Sequence, residues 1–454
     1  MLRFRRIERL RLDSTFVACD IVPTHHIARG DPLRCKLRRP PIEGQGLLSL
    51  VLFICGALAL AATLLGIASP RHPYFAIPIT FFIAWIAGDL AILHLAAQVI
   101  ATAVLVALGA AHETIGQVGV GLMALSWLGL ALLLHRHRYA AAPLDAALRS
   151  MLGESEPSVA AESVPSRSLL QPFVPSASGV RITRDIAYGD HKRHRLDVFA
   201  PADGRTGCPV LLQIHGGAWV IGDKRQQGQP LMRHLARQGW VCVAINYRLS
   251  PKATFPDHLI DAKRAIAWIR EHAHEFGGDP SFLAVTGGSA GGHLAALVGL
   301  TGNNPAFQPG FESVDTHVDA CVPVYGVFDF LDRSGLHKGR LEPMLTKVVM
   351  KRSPTDDPDA WHAASPLSQV HVHAPPFFVV QGAQDTLVWR EDTHAFVAAL
   401  REVSDNVVGY AEIPYAQHAF DLMLTRRSVH TVRAMSRFLQ HTFESHSAES
   451  RSAI

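Results

Sequence analysis

Residues 285–293 read V-T-G-G-S-A-G-G-H, so Ser289 is flanked by four glycines. A serine hydroxyl becomes a useful nucleophile when a base can take its proton and when donors await the oxyanion it creates. The run before it, FLAVTG (282–287), predicts a strand, and the run after it, HLAALVGL (293–300), predicts a helix. Ser289 therefore falls on a strand-to-helix turn. Positions two before and two after the serine must pack there without a Cβ, which accounts for Gly287 and Gly291. The hydroxyl then stands at a helix N-terminus, where exposed N–H groups favour developing negative charge. A lone G-x-S-x-G also arises by chance, so the partners of the serine carry the argument.

Three further stretches supply them. His215-Gly216-Gly217-Ala218-Trp219 ends the predicted strand VLLQIHG (210–216). Glycines after a strand can turn N–H groups into a cleft. Those of Gly216 and Gly217, with that of Ala290, are the expected oxyanion hole, each donor contributing on the order of 10²–10³ in rate. Asp385 follows the predicted strand PFFVVQG (376–382), and His418 follows VVGYAEI (407–413). The order Ser289, Asp385, His418 is one in which such triads occur. The position of His418 singles it out among 25 histidines. His293 lies in the helix after the serine, the wrong place for the base, and Asp421 is an alternative acid. Trp219 is expected to line the substrate pocket or to pack beneath it. This set predicts acyl transfer from an ester carbonyl through an acyl-enzyme, with no metal or organic cofactor. The six cysteines form no C-x-x-C pair, so neither a zinc site nor a disulfide framework is indicated.

The elements that must position these residues alternate along the chain. Further strands are predicted at 195–200, 241–247 and 320–326. A helix is predicted over 257–277, with Leu259, Ala262, Ala265, Ile266 and Ile269 on one face. Apolar strands alternating with helices predict an α/β fold over residues 181–445, a mostly parallel sheet with helices on both faces.

The first third of the chain is different. Residues 1–46 carry ten basic residues against five acids and no persistent period, and are expected to form a disordered tail. Residues 47–138 are expected to form a helical transmembrane region. The uncharged run 47–69 is long enough to cross about 30 Å of hydrocarbon, and 116–134 is a second candidate. Between them, 74–110 is apolar but broken by Pro78, Asp89 and His94. It is barely long enough for two spans. A carboxylate at mid-bilayer costs roughly 2.5–3.5 kcal/mol, which puts Asp89 at an interface or against other helices. The basic N-terminus and the cluster His135–Arg138 both prefer the cytoplasm, which requires an even number of spans. Three spans would put the C-terminal domain outside, and long domains translocate despite such a cluster. Residues 139–180, rich in Ala, Ser and Pro, read as a linker with one short helix near Leu144–Leu152, and 446–454 as a disordered tail. The net charge of +4 over 454 residues indicates no nucleic-acid partner.

Residues 180–445 resemble the α/β-hydrolase fold, in the branch related to hormone-sensitive lipase and bacterial carboxylesterases. H-G-G-A-W at 215–219, Y-R-L-S-P at 247–251, G-G-S-A-G-G at 287–292, D-T-L-V at 385–388 and Q-H-A-F at 417–420 carry the resemblance. With the apolar segment in front, the chain is similar to actinobacterial membrane esterases. The resemblance implies a serine carboxylesterase or lipase of a bacterial plasma membrane, with an ester or lipid substrate and membrane lipid as its surroundings. Two departures stand out. The family commonly has Asp where Gly288 precedes the nucleophile, and Glu where Lys252 follows Y-R-L-S-P. A large N-terminal cap is not evident, leaving the linker or residues 327–370 as a lid. Competing readings are an acyltransferase or peptidase on the same triad, a non-catalytic binding module, and a transporter or sensor with the hydrolase as regulator.

Overall fold

The computed structural model describes residues 45–71, 73–164, 171–173, 178–337 and 339–452. The basic tail lies outside these, except for its last two residues, which open the first helix.

Four apolar helices come first: α1 (Gln45–Ala68), α2 (Ile77–Asp89), α3 (Ala91–Ala107) and α4 (Thr114–Arg136). The helix α1 and the helical stretch Thr114–Leu152, which begins with α4, are long and apolar enough to cross a membrane. The pair α2 and α3 passes the same test together but is bent by 85°. Asp89 marks the bend.

Helices α1 and α4 run side by side in the same direction. Ser49 donates to Ala110 O at one end, Thr63 and Ser126 hydroxyls meet at 2.8 Å midway, and Arg136 donates to Ile67 O at the other. They approach so closely at Gly56 that a Cβ there would lie 2.7 Å from Gly119 O, the close packing that small residues permit between apolar helices. Helix α3 returns antiparallel to both. Ala91 and Leu95 lie beside Leu130 and Leu133, Gln98 accepts from Ser126 at 2.9 Å, and Leu105 packs with Met123. The bundle is thus traversed by α1, α3 and α4, while α2 lies across it at the end where α1 and α4 finish.

The rest of the chain builds one sheet: β1 (Val180–Ala187), β2 (Arg195–Pro201), β3 (Cys208–Ile214), β4 (Val241–Ile245), β5 (Gly278–Gly288), β6 (Ala320–Val324), β7 (Phe377–Gly382) and β8 (Val408–Ile413). Their order is β1-β2-β4-β3-β5-β6-β7-β8. Pairs β1–β2 and β2–β4 are antiparallel and all others parallel. Successive side chains of a strand point to opposite faces. Val210, Leu212 and Ile214 accordingly enter one core, and Leu211 enters the other. The first core is covered by α7 (Asp257–His272), α8 (Ala290–Leu300), α9 (Pro358–Ala364) and α10 (Arg390–Val403). The second is covered by α5 (Ala141–Leu152), α6 (Gln229–Arg237) and α11 (Arg426–Ser452).

Three features differ from the sequence expectation. β1 extends the sheet at an edge where Arg181, Thr183, Arg184 and Asp185 face outward, so no apolar run announced it. The short helix expected within the linker is α5, but it is built into the second core through Leu144 and Leu148, and Asp145 accepts from Val159 N at 2.7 Å to tie down the chain that follows. Helix α11 continues through Ser452, past residue 446 where a tail was expected.

Candidate active site

β5 ends at Gly288 and α8 begins at Ala290, so Ser289 alone makes the turn. Its φ of 59° and ψ of −124° lie where side chains are rarely found, a strain that the surroundings must impose. Those surroundings are backbone. A Cβ on Gly287 would lie 2.4 Å from Gly291 O and 2.6 Å from Ile214 O, and one on Gly291 would lie 2.2 Å from Ile214 O. Gly288 is fixed differently. A Cβ there would lie 2.7 Å from the Tyr325 ring, so the phenol fills the space that an aspartate before the nucleophile would need.

The loops after β7 and β8 bring Asp385 and His418 together at the edge of the sheet where β5 ends. His418 Nδ1–H donates to Asp385 Oδ2 at 2.6 Å. The same carboxylate accepts from Leu387 N and Val388 N, both at 2.8 Å, and from Gln381 Nε2 at 3.2 Å. Asp385 is fully buried and acceptor-saturated, which fixes the imidazole tautomer with Nε2 free to face a substrate. Gln417 Oε1 accepts from Thr386 N and His418 N, each at 2.8 Å, so one amide binds both loops. Asp421, the alternative acid, instead accepts from the Tyr325 hydroxyl, and burial raises its carboxyl above the usual range. The Tyr325 ring stands 4.6 Å from the His418 ring and against Gly288, joining His418 to the turn.

The oxyanion-hole expectation needs one correction. Gly216 is beside the serine, since a Cβ on it would lie 3.1 Å from Ser289 Cβ, but its N–H donates to Gln227 Oε1 at 2.7 Å and is thereby committed. Gly217, Ala218 and Trp219 follow with φ of 121°, 52° and 61°, a left-handed run that turns the loop back on itself. Ala290 opens α8, where N–H groups have no acceptor within the helix.

Trp219 lines the pocket and is also anchored beneath it. Its Nε1–H donates to His293 Nδ1 at 3.2 Å, and His293 Nε2–H donates to Ala364 O at 2.7 Å. Burial pushes His293 down to about 3, so it is a neutral strut and not a base. A mostly apolar cavity of about 190 Å³ opens from Ser289, walled by Trp219, Val327, Met344 and Val388, with His337 and Arg340 also on its lining. Val327 and Met344 come from the 327–370 segment, and no motif in the sequence marked them. A larger cleft of about 590 Å³, bounded by Arg193, Arg248 and Lys252, includes no triad residue. Among the described residues no cluster of three His, Cys, Asp or Glu could hold a metal ion.

One wall of the site comes from the apolar helices. The Phe81 ring of α2 stands edge-on to the His418 ring at 6.0 Å, and Trp85 Nε1–H donates to Ala419 O at 3.1 Å. Asp89 pairs with Arg427 of α11 at 3.3 Å, both buried. Arg71 pairs with Glu391 at 3.0 Å. The sequence pointed to Asp89 as an interfacial acid but not to its partner.

Comparison with known proteins identifies the family. The BD-FAE family model matches residues 196–400, a stretch that contains Ser289 and Asp385 and ends before His418. LipC, an esterase of Mycobacterium tuberculosis, is 42% identical over 273 residues, 60% of this chain and 68% of that protein. The chain belongs to the esterases of the α/β-hydrolase fold. Within that esterase family, the probable carboxylic ester hydrolase LipM of the same organism is 49% identical over 269 residues, 59% of this chain and 62% of LipM. The chain thus spans about 62% of the length of LipM, and the same share of the esterase LipQ. Esterase B from Lactobacillus rhamnosis shares the fold, with a TM-score of 0.51 at 22% identity over 61% of this chain and 90% of that one.

Proposed function

We propose that the protein is a membrane-anchored serine carboxylesterase working through Ser289, His418 and Asp385. The observation that carries this reading is the 2.6 Å bond from His418 to a buried, saturated Asp385, at the sheet edge where Ser289 sits strained at the mouth of an apolar cavity. His418 Nε2 takes the Ser289 proton as Oγ attacks the ester carbonyl. The N–H groups of Gly217 and Ala290 receive the oxyanion. The C–O bond to the alcohol breaks, and the alkoxide leaves with the proton from His418. Water, deprotonated by the same imidazole, then attacks the acyl-serine, and its collapse frees the acid and restores Ser289. Trp219 bounds the acyl group.

If α1, α3 and α4 each cross the membrane, the start of α1 and the hydrolase lie on opposite sides of it. With the basic N-terminus in the cytoplasm, the catalytic domain faces outward from a bacterial plasma membrane. The cluster His135–Arg138 prefers the cytoplasm, but long domains translocate despite such a cluster. Arg136 is engaged locally, donating to Ile67 O and lying 4.4 Å over the Tyr415 ring.

The test is hydrolysis of p-nitrophenyl esters of increasing acyl length by the full chain in detergent micelles, beside Ser289→Ala. A cavity of about 150 Å³ holds a six-carbon ring. The optimum is therefore expected at or below about eight acyl carbons, with no turnover by the mutant. A mutant as active as wild type, or a folded wild type inert on every ester, would sink the proposal.

A further inference from the structure

The helix α2 has apolar residues on two faces. Ile77, Phe81 and Ala84 are buried, with Phe81 against the catalytic histidine. Ile79 and Phe82 on its opposite side, and Phe75 in the single turn just before it, are 67, 55 and 86% exposed. A helix that met water on its free side would be polar there. Helices α1, α3 and α4 also carry exposed apolar residues, among them Leu58, Val104 and Leu128. Helix α1 and the stretch Thr114–Leu152 are long and apolar enough to cross a membrane, and lipid is the medium that suits both them and the free side of α2. Because α2 is turned 85° from the traversing α3, it lies along the membrane plane. Its level is marked by Arg136, Arg138, Tyr139 and Tyr415, the basic and aromatic residues that collect where bilayer meets water, Tyr139 and Tyr415 being part-exposed.

The two sides of the scissile bond therefore meet different surroundings. The base must reach both Ser289 Oγ and the leaving oxygen, so the alcohol lies on the His418 side of the carbonyl. That side is walled by α2. The acyl group takes the remaining direction, the cavity of about 190 Å³ behind Ser289, to which α2 contributes no residue. We propose that the substrate is a short-acyl ester of a long apolar alcohol, held with its alcohol chain in the bilayer beside α2 and its acyl group in the cavity beside Ser289. This rests on the esterase reading above.

Two isomeric esters separate the possibilities, since hexadecyl butyrate and butyl hexadecanoate have the same formula and partition alike. Each is presented to the full chain in phosphatidylcholine vesicles, with p-nitrophenyl butyrate as a soluble control. Hexadecyl butyrate is expected to turn over at least tenfold faster than its isomer. Equal rates, or the opposite preference, with p-nitrophenyl butyrate still hydrolysed, would overturn this inference and leave the esterase standing. Failure on all three esters would instead remove the esterase reading. In the double variant Phe75→Asp/Ile79→Asp, the ratio of hexadecyl butyrate to p-nitrophenyl butyrate turnover is expected to fall at least tenfold. An unchanged ratio would remove α2 from the route of the substrate.

Discussion

At Gly288 the space beside the nucleophile is already taken, because the Tyr325 ring lies against it and its hydroxyl is bound to Asp421. Tyr325 is 2% exposed and cannot swing away freely. Gly288→Asp is expected to push the ring toward His418. Overpacking of this kind costs about 1–3 kcal/mol, and p-nitrophenyl butyrate turnover should fall at least tenfold. Wild-type kinetics with an unshifted unfolding midpoint would show that Tyr325 yields. Asp385→Asn keeps an oxygen for Leu387 N and Val388 N but offers His418 the wrong partner. Its kcat is expected to drop on the order of 10⁴ with the fold intact, and a loss under tenfold would move the acid role elsewhere. At this scale the sequence points to Ser289, Asp385 and His418, since each follows a strand. It carries Tyr325, Phe81 and Gln417 poorly. An aromatic ring or an amide has no motif, and each acquires its role from a contact with a distant part of the chain. Gly216 illustrates the limit from the other side. Its glycine pattern announces a turn, but only the fold reveals that Gln227 captures the N–H.

Among the elements, α1 and α4 pack most closely where backbone meets backbone. A Cβ on Gly119 would lie 2.7 Å from Phe53 N. Gly119→Leu is expected to splay the pair and lower the melting temperature of the full chain in micelles, with a cost of about 1–3 kcal/mol. A variant that melts like wild type would mean the two helices are free to separate. The central strands were readable because β3, β4, β6 and β7 are buried along their whole length and appear as continuous apolar runs. β1, polar at the edge, was not. Nor was the attitude of α2. A helix apolar all round has no preferred face, so periodicity cannot say that one side would rest on a catalytic loop.

For the molecule as a whole, the buried imidazoles set the response to acid. Burial pushes His215 and His258 down to about 4 and His293 to about 3. Their folded values lie below the unfolded value of about 6.5, so the unfolded chain binds protons that the folded chain refuses. Their contribution is complete above about pH 6.5 and is lost as pH falls toward 4, at up to about 1.4 kcal/mol per pH unit for each group. The urea midpoint, followed by tryptophan fluorescence, should fall steeply from pH 7 to pH 5. A flat profile over that range would mean these sites take up protons without unfolding. The contacts between α2 and the hydrolase have a last consequence, for ancestry and engineering alike. A chain begun at residue 175 would keep all eight strands but leave Arg427 without its carboxylate, His418 without the Phe81 ring and the second core without α5. The apolar helical part is therefore not an exchangeable cassette. Any recombination that joined this hydrolase to another anchor would have to bring its own acid for Arg427 and its own cover for the catalytic loop, and so the two halves are expected to have changed hands together.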